Sequence, residues 1–96
     1  MVLEVAILDV KLGMESQFEV DFKKASRYIS AIKGYQSHTL HRCLENENRY
    51  ILHVYWDTLE NHTIDFRESA EYSKWKELLH HYYDPFPVVE HYERVI

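Results

Sequence analysis

The chain has 96 residues, with 11 Lys and Arg against 16 Asp and Glu for a formal net charge of −5. No basic run or Lys/Arg stripe is present, which argues against nucleic acid or an anionic membrane as partner, and no apolar run approaches the ~20 residues of a bilayer-spanning helix. A single cysteine, Cys43, excludes an intrachain disulfide, and no basic-then-apolar leader precedes Glu4, so a reducing, cytoplasmic setting is expected for one domain spanning residues 1–96.

Val2 to Val10 reads as an apolar strand that breaks at Gly13. Phe18, Phe22, Ala25, Ile29 and Ile32 then recur at steps of four, three, four and three, an apolar stripe that must lie on a sheet. Ser16 and Glu19 have capping-box spacing, and Gly34 is placed to close the helix as a left-handed residue. A second strand runs from Gly34-Tyr35 to Arg42. After the short polar segment 45–49 a third runs from Tyr50 to Trp56, so these two should form an antiparallel hairpin.

In the third strand Tyr50, Leu52, Val54 and Trp56 share one face, with Ile51, His53 and Tyr55 on the other. Both faces are largely apolar, so both should be covered. Thr58 offers a side-chain cap to a helix, and Ser69 repeats the device before Tyr72, Trp75 and Leu79. Asp84-Pro85-Phe86-Pro87 ends that helix, and Val88 to Val95 is a fourth strand. The order of elements predicts an α+β, ferredoxin-like four-stranded antiparallel sheet with helices on one face. A chain this small buries only about two-thirds of its unfolded surface, so its 15% aromatic content, including eight Tyr, points to self-association through the uncovered face.

The strand ending at Trp56, the acidic Glu60, Phe66, the Ser69-x-x-Tyr72 restart and the tail Pro87-Val88-Val89-Glu90-His91-Tyr92 together resemble the antibiotic biosynthesis monooxygenase family of dimeric α+β barrels. The likeness spans nearly the whole chain. It implies a homodimer in which the last strand, residues 88–95, lies along the partner subunit. It also implies cofactor-independent oxygen chemistry in which an electron-rich substrate itself reduces O2. The superfamily's haem-degrading branch offers another reading, but its Asn, Trp and proximal His positions fall on Ala6, Phe66 and Lys76 here. That disfavours haem unless His80 takes over as ligand.

Seven histidines raise the question of a metal, yet His38 and His41 diverge on a strand and the adjacent His80 and His81 diverge on a helix, so no metal site is expected. Cys43 has no nucleophile motif around it, and no glycine-rich phosphate loop is present, so no cofactor is expected either. What the residues support is a pocket for a small aromatic molecule lined by Tyr55, Trp56, Phe66, Tyr72 and Trp75, with His53 or His38 as the base that deprotonates a phenolic substrate. The resemblance implies a monooxygenase of small aromatic or quinone-type substrates. Non-catalytic ligand-binding or stress-related dimers, and haem-binding proteins, share the same aromatic lining.

Overall fold

The computed structural model describes residues 1–96. Strand β1 (Val2–Asp9) leads through a turn at Gly13, whose φ is +87°, into helix α1 (Glu15–Ile29). Strands β2 (Tyr35–Arg42) and β3 (Arg49–Trp56) form the expected hairpin, with Arg42 opposite Tyr50. A π-helical segment (Asn61–Phe66), helix α2 (Ala70–Leu79), a 3-10 turn (His80–Tyr82) and strand β4 (Val89–Glu93) complete the chain. Sheet order is β2-β3-β1-β4, antiparallel throughout, which is the ferredoxin-like arrangement. No helix is long and apolar enough to cross a membrane.

Both helices pack on one face of the sheet, where Phe18, Phe22, Ala25 and Ile29 of α1 meet the even-numbered residues of β1 and β3. Leu52, Val54 and Trp56 are at most 3% exposed, as the single-face alternation requires. The opposite face keeps Ile7, Tyr55 and Tyr92 at 39–49% exposure, because this chain has only one helical layer.

Three local expectations are altered by the structure. Helix α1 starts at Glu15 after Met14 without a side-chain cap. Ser16 and Glu19 therefore form no capping box, and Glu15 instead accepts from the Gly13 backbone N–H. The helix also ends at Ile29, a turn earlier than the stripe suggests. Gly34, with φ of +83°, serves as the entry to β2, where a β-carbon would collide with the Asn61 amide. Strand β4 lies beside β1 of its own sheet, with Val2 opposite Glu93 and Ala6 opposite Val89, rather than away from it. It thereby satisfies the backbone groups that the outer edge of β1 would otherwise leave unpaired.

The two caps on either side of the π-helical segment form as expected. Thr58 Oγ1 accepts from the Asn61 N–H at 3.2 Å, and Asn61 Oδ1 reciprocates with the Thr58 N–H at 2.9 Å. Ser69 Oγ accepts from the Tyr72 N–H at 3.0 Å and starts α2. Together they hold the π-helical segment across the end of β3.

Candidate active site

A cavity of about 350 Å³ opens between the sheet and the π-helical segment with helix α2. Its floor is Glu4, Ala6 and Leu8 of β1, with Leu52 of β3 and Val89 of β4. Phe66, Tyr72 and Trp75 form an aromatic wall, and Tyr83 and Phe86 of the connection to β4 close the opposite side. Phe66 meets both Tyr72 and Trp75 edge-on at ring-centroid distances of 5.1 and 5.7 Å, which fixes the shape of the wall.

The polar end of the cavity is built on Glu4. Strand parity puts this residue on the same face as Ala6 and Leu8, so its carboxyl is 4% exposed among apolar side chains. Desolvation raises its pKa to about 7, although the Trp56 indole donates to Oε1 at 2.9 Å and the Arg67 guanidinium also favours the ionised form. His62 Nε2 stands 3.4 Å from the same oxygen, leaving Oε2 uncommitted by either neighbour.

This His62–Glu4 approach has the distance of an ion pair but not its charges. Burial, with Arg67 and His91 nearby, drives the His62 pKa down to about 3, so the ring is neutral at pH 7. His62 Nδ1 and His91 Nε2 share a hydrogen bond of 2.7 Å, and the His62 ring stacks on Trp56 with centroids 5.6 Å apart. The sheet register explains the convergence, since His91 is the cross-strand partner of Glu4 and the π-helical segment lays His62 over both. His80 also reaches the cavity, and burial lowers its pKa too.

The residues singled out from sequence divide between locations. Phe66, Tyr72 and Trp75 line the cavity, and Trp56 stands behind it as the donor to Glu4. His53 and Tyr55 project from the other face of β3, where Tyr55 lines a separate hollow of about 460 Å³ with Leu3 and Tyr92. His38 is on the helix side but on β2, two strands away from β1. There it hydrogen-bonds Tyr35 Oη at 2.5 Å and packs against Phe22. The structure therefore brings neither His38 nor His53 to the cavity, and puts Glu4 and His62 there instead, with His91 hydrogen-bonded to His62. A carboxylate on the core-facing parity of an apolar strand was the available sequence signal for Glu4.

A haem group does not fit these residues. His80 packs edge-on against Phe86 and Tyr72 at centroid distances of 4.9 and 5.9 Å, so a tetrapyrrole on it would have to displace both rings. Ala6 offers no polar atom at the floor, and Lys76 is exposed on α2 without lining the cavity.

Residues 1–78 match the model of the antibiotic biosynthesis monooxygenase family. This chain belongs to that family. The Bacillus subtilis (strain 168) protein YczJ is 50% identical over 95 residues, covering 99% of this chain and 100% of YczJ. The crystal structure of a Bordetella bronchiseptica protein assigned to the family superposes with a TM-score of 0.94 at 34% identity, covering 99% of this chain and 97% of that one. SnoaB, a cofactor-independent oxygenase from Streptomyces nogalater, shares the fold, with a TM-score of 0.77 at 19% identity over 99% of this chain and 94% of SnoaB. The fold shared with these structures spans the sheet and both helical pieces.

Proposed function

We propose that the cavity is the active site of a cofactor-independent monooxygenase acting on small aromatic or quinone-type substrates. The observation that carries this reading is a carboxyl with a pKa of about 7 at the end of an aromatic-walled cavity. A general base works best when its pKa lies near the operating pH, and an apolar surround is what moves a carboxylate there. SnoaB, of the same fold, is a cofactor-independent oxygenase, which makes this chemistry the natural one to test.

The residues suit the steps such a reaction needs. The ring lies between the Phe66, Tyr72 and Trp75 wall and the facing Tyr83 and Phe86, and Glu4 takes the acidic proton of a hydroquinone or anthrone-type substrate. The resulting anion is rich enough in electrons to reduce O2. For an anthrone-type methylene, both hydrogens leave the carbon, one oxygen atom of O2 becomes the new carbonyl and the other departs as water. The substrate supplies every electron, and the proton held by Glu4 is returned to the departing oxygen. Neutral His62 keeps the Glu4 carboxyl oriented without neutralising it.

Oxygen-electrode assays over a panel of hydroquinones and anthrones test the proposal. The expected result is substrate-dependent O2 uptake that rises through pH 7 as Glu4 ionises. Binding of these compounds without any O2 uptake would make the protein a ligand-binding module of the same fold.

The second part of the proposal is a homodimer formed through the open sheet face, where Ile7, Tyr55, Tyr92 and the half-buried His53 stand uncovered by helix. A sheet apolar on both sides is stable when both sides are covered. Sedimentation equilibrium at micromolar concentration should return twice the 11.7 kDa chain mass. A well-folded monomer there would refute this pairing.

A further inference from the structure

We infer that the cavity selects aromatic anions of one or two rings, with Arg67 as the residue that grips the acidic group. This rests on the reading of the cavity as an aromatic-substrate site and adds the class of molecule it takes.

Arg67 follows the π-helical segment directly, and its backbone N–H is tied to the His62 carbonyl at 3.2 Å. Its position relative to the Glu4–His62 pair is therefore set by the same turn that places His62. The side chain is exposed at the cavity wall, and Glu4 and Arg67 are the two formally charged residues of the lining. No carboxylate lies within salt-bridge distance of the guanidinium, and the side chain makes no hydrogen bond. Asp65, Glu68 and Glu71 are its acidic neighbours in sequence; none lines the cavity, and Asp65 accepts from the Asn61 amide instead. Its charge is nonetheless felt by Glu4, His62, His80 and His91, so it is close to the whole polar end.

A guanidinium presents a planar fork of donors that matches a carboxylate in two parallel hydrogen bonds. Here that fork has no partner within the chain. It lines an aromatic cavity in which His62 is neutral and does not compete with it for an anion. In a protein of net charge −5, long-range attraction does not favour anions, so a local cation is what would select one. Size narrows the class further, because about 350 Å³ is near the lower end of the roughly 300–1,000 Å³ typical of ligand sites. One or two fused rings with a carboxylate suit that space. The carboxylate would meet Arg67 and the reacting C–H or O–H would face Glu4.

Calorimetric titration with 1-hydroxy-2-naphthoate and with 1-naphthol, which share a ring system and differ in the carboxylate, tests the inference. The naphthoate should bind about tenfold more tightly, the order expected of one charge-assisted pair. Arg67→Gln should abolish that preference and leave 1-naphthol affinity unchanged, and Arg67→Lys should restore part of it. Because the side chain is exposed, neither variant removes core packing, and an unchanged melting temperature verifies this. Equal affinity of the two probes for the wild type, or a preference that survives Arg67→Gln, overturns the charge selection while leaving the aromatic site standing. If neither probe binds, both readings fall together.

Discussion

Replacing Trp56 by alanine is expected to destabilise the protein by about 3–5 kcal/mol, a large share of the roughly 5–15 kcal/mol that holds a small domain folded. The side chain is fully buried at the end of β3, packed between Tyr35, His62 and Phe66 at centroid distances of 5.6–6.0 Å. Truncation leaves a cavity that these rings cannot readily collapse into, since Tyr35 is held by β2 and His62 and Phe66 by the π-helical segment. It also removes the N–H that donates to Glu4, so the carboxyl loses a contact that favours its ionised form. Trp56→Phe separates the two effects: it keeps most of the ring volume but no donor, and should be milder in stability while still raising the Glu4 pKa. Urea unfolding followed by circular dichroism measures the difference. A loss below about 1.5 kcal/mol for the alanine variant would mean the core repacks freely and that the aromatic cluster is not what positions the cavity.

Glu4→Gln should act in opposite directions on stability and on activity. In the folded state the Glu4 pKa is about 7 against an ordinary 4.5, so between these values the unfolded chain ionises while the folded one stays protonated. The folded state thus binds the additional proton, and stability falls as pH rises from about 4.5 to 7. The penalty is complete above pH 7, and a shift of that size corresponds to at most about 3 kcal/mol. Glutamine keeps the shape and a carbonyl oxygen for the Trp56 indole but cannot ionise. The variant should therefore match the wild type near pH 4 and exceed it at pH 8 by up to that amount, seen as a higher melting temperature. Oxygen uptake, if Glu4 is the base, should fall by about 10²–10⁴-fold across the same range. A variant that is more stable at pH 8 and fully active would remove Glu4 from the chemistry. One showing no stability gain would mean that the carboxyl is not held at a raised pKa.

His62 contributes to the same balance with the opposite sign. Its pKa is lowered to about 3, so the unfolded chain takes up a proton below the ordinary 6.5 while the folded one does not, and stability falls as pH drops from about 6.5 toward 3. The cavity thus places a reluctant acid and a reluctant base side by side, the histidine neutral at pH 7 and the carboxyl ionising only near that pH. Binding a ring in that space meets little fixed charge at depth, with the single free cation at the rim.

Much of the fold is written locally in this chain. The stripe Phe18, Phe22, Ala25 and Ile29, the single-face run Tyr50, Leu52, Val54 and Trp56, and the caps at Thr58 and Ser69 depend on residues within a few positions of one another. Periodicity alone therefore identifies the helices and strands, and the strand-helix-strand-strand-helix-strand order prescribes the sheet. The Phe66, Tyr72 and Trp75 wall belongs to the same class, since all three lie on one short stretch after β3.

The candidate site depended on tertiary structure because its members come from distant parts of the chain. Glu4 sits in a strand whose neighbours are apolar on both sides, and its inward aim has meaning only once the helices cover that face. His62 and His91 meet because β4 pairs with β1 and the π-helical segment crosses above them, a juxtaposition no local spacing encodes. The histidine assignment depended on register in the same way. Alternation carries His53 to the open face with Tyr55, and the bulge between Tyr35 and Ser37 resets the parity of β2, so that Tyr35 and His38 both face the helices three residues apart. Local patterning determined which segments are strands and helices and which aromatic side chains form a wall. The pairing of distant strands decided which carboxylate and which histidines the wall encloses.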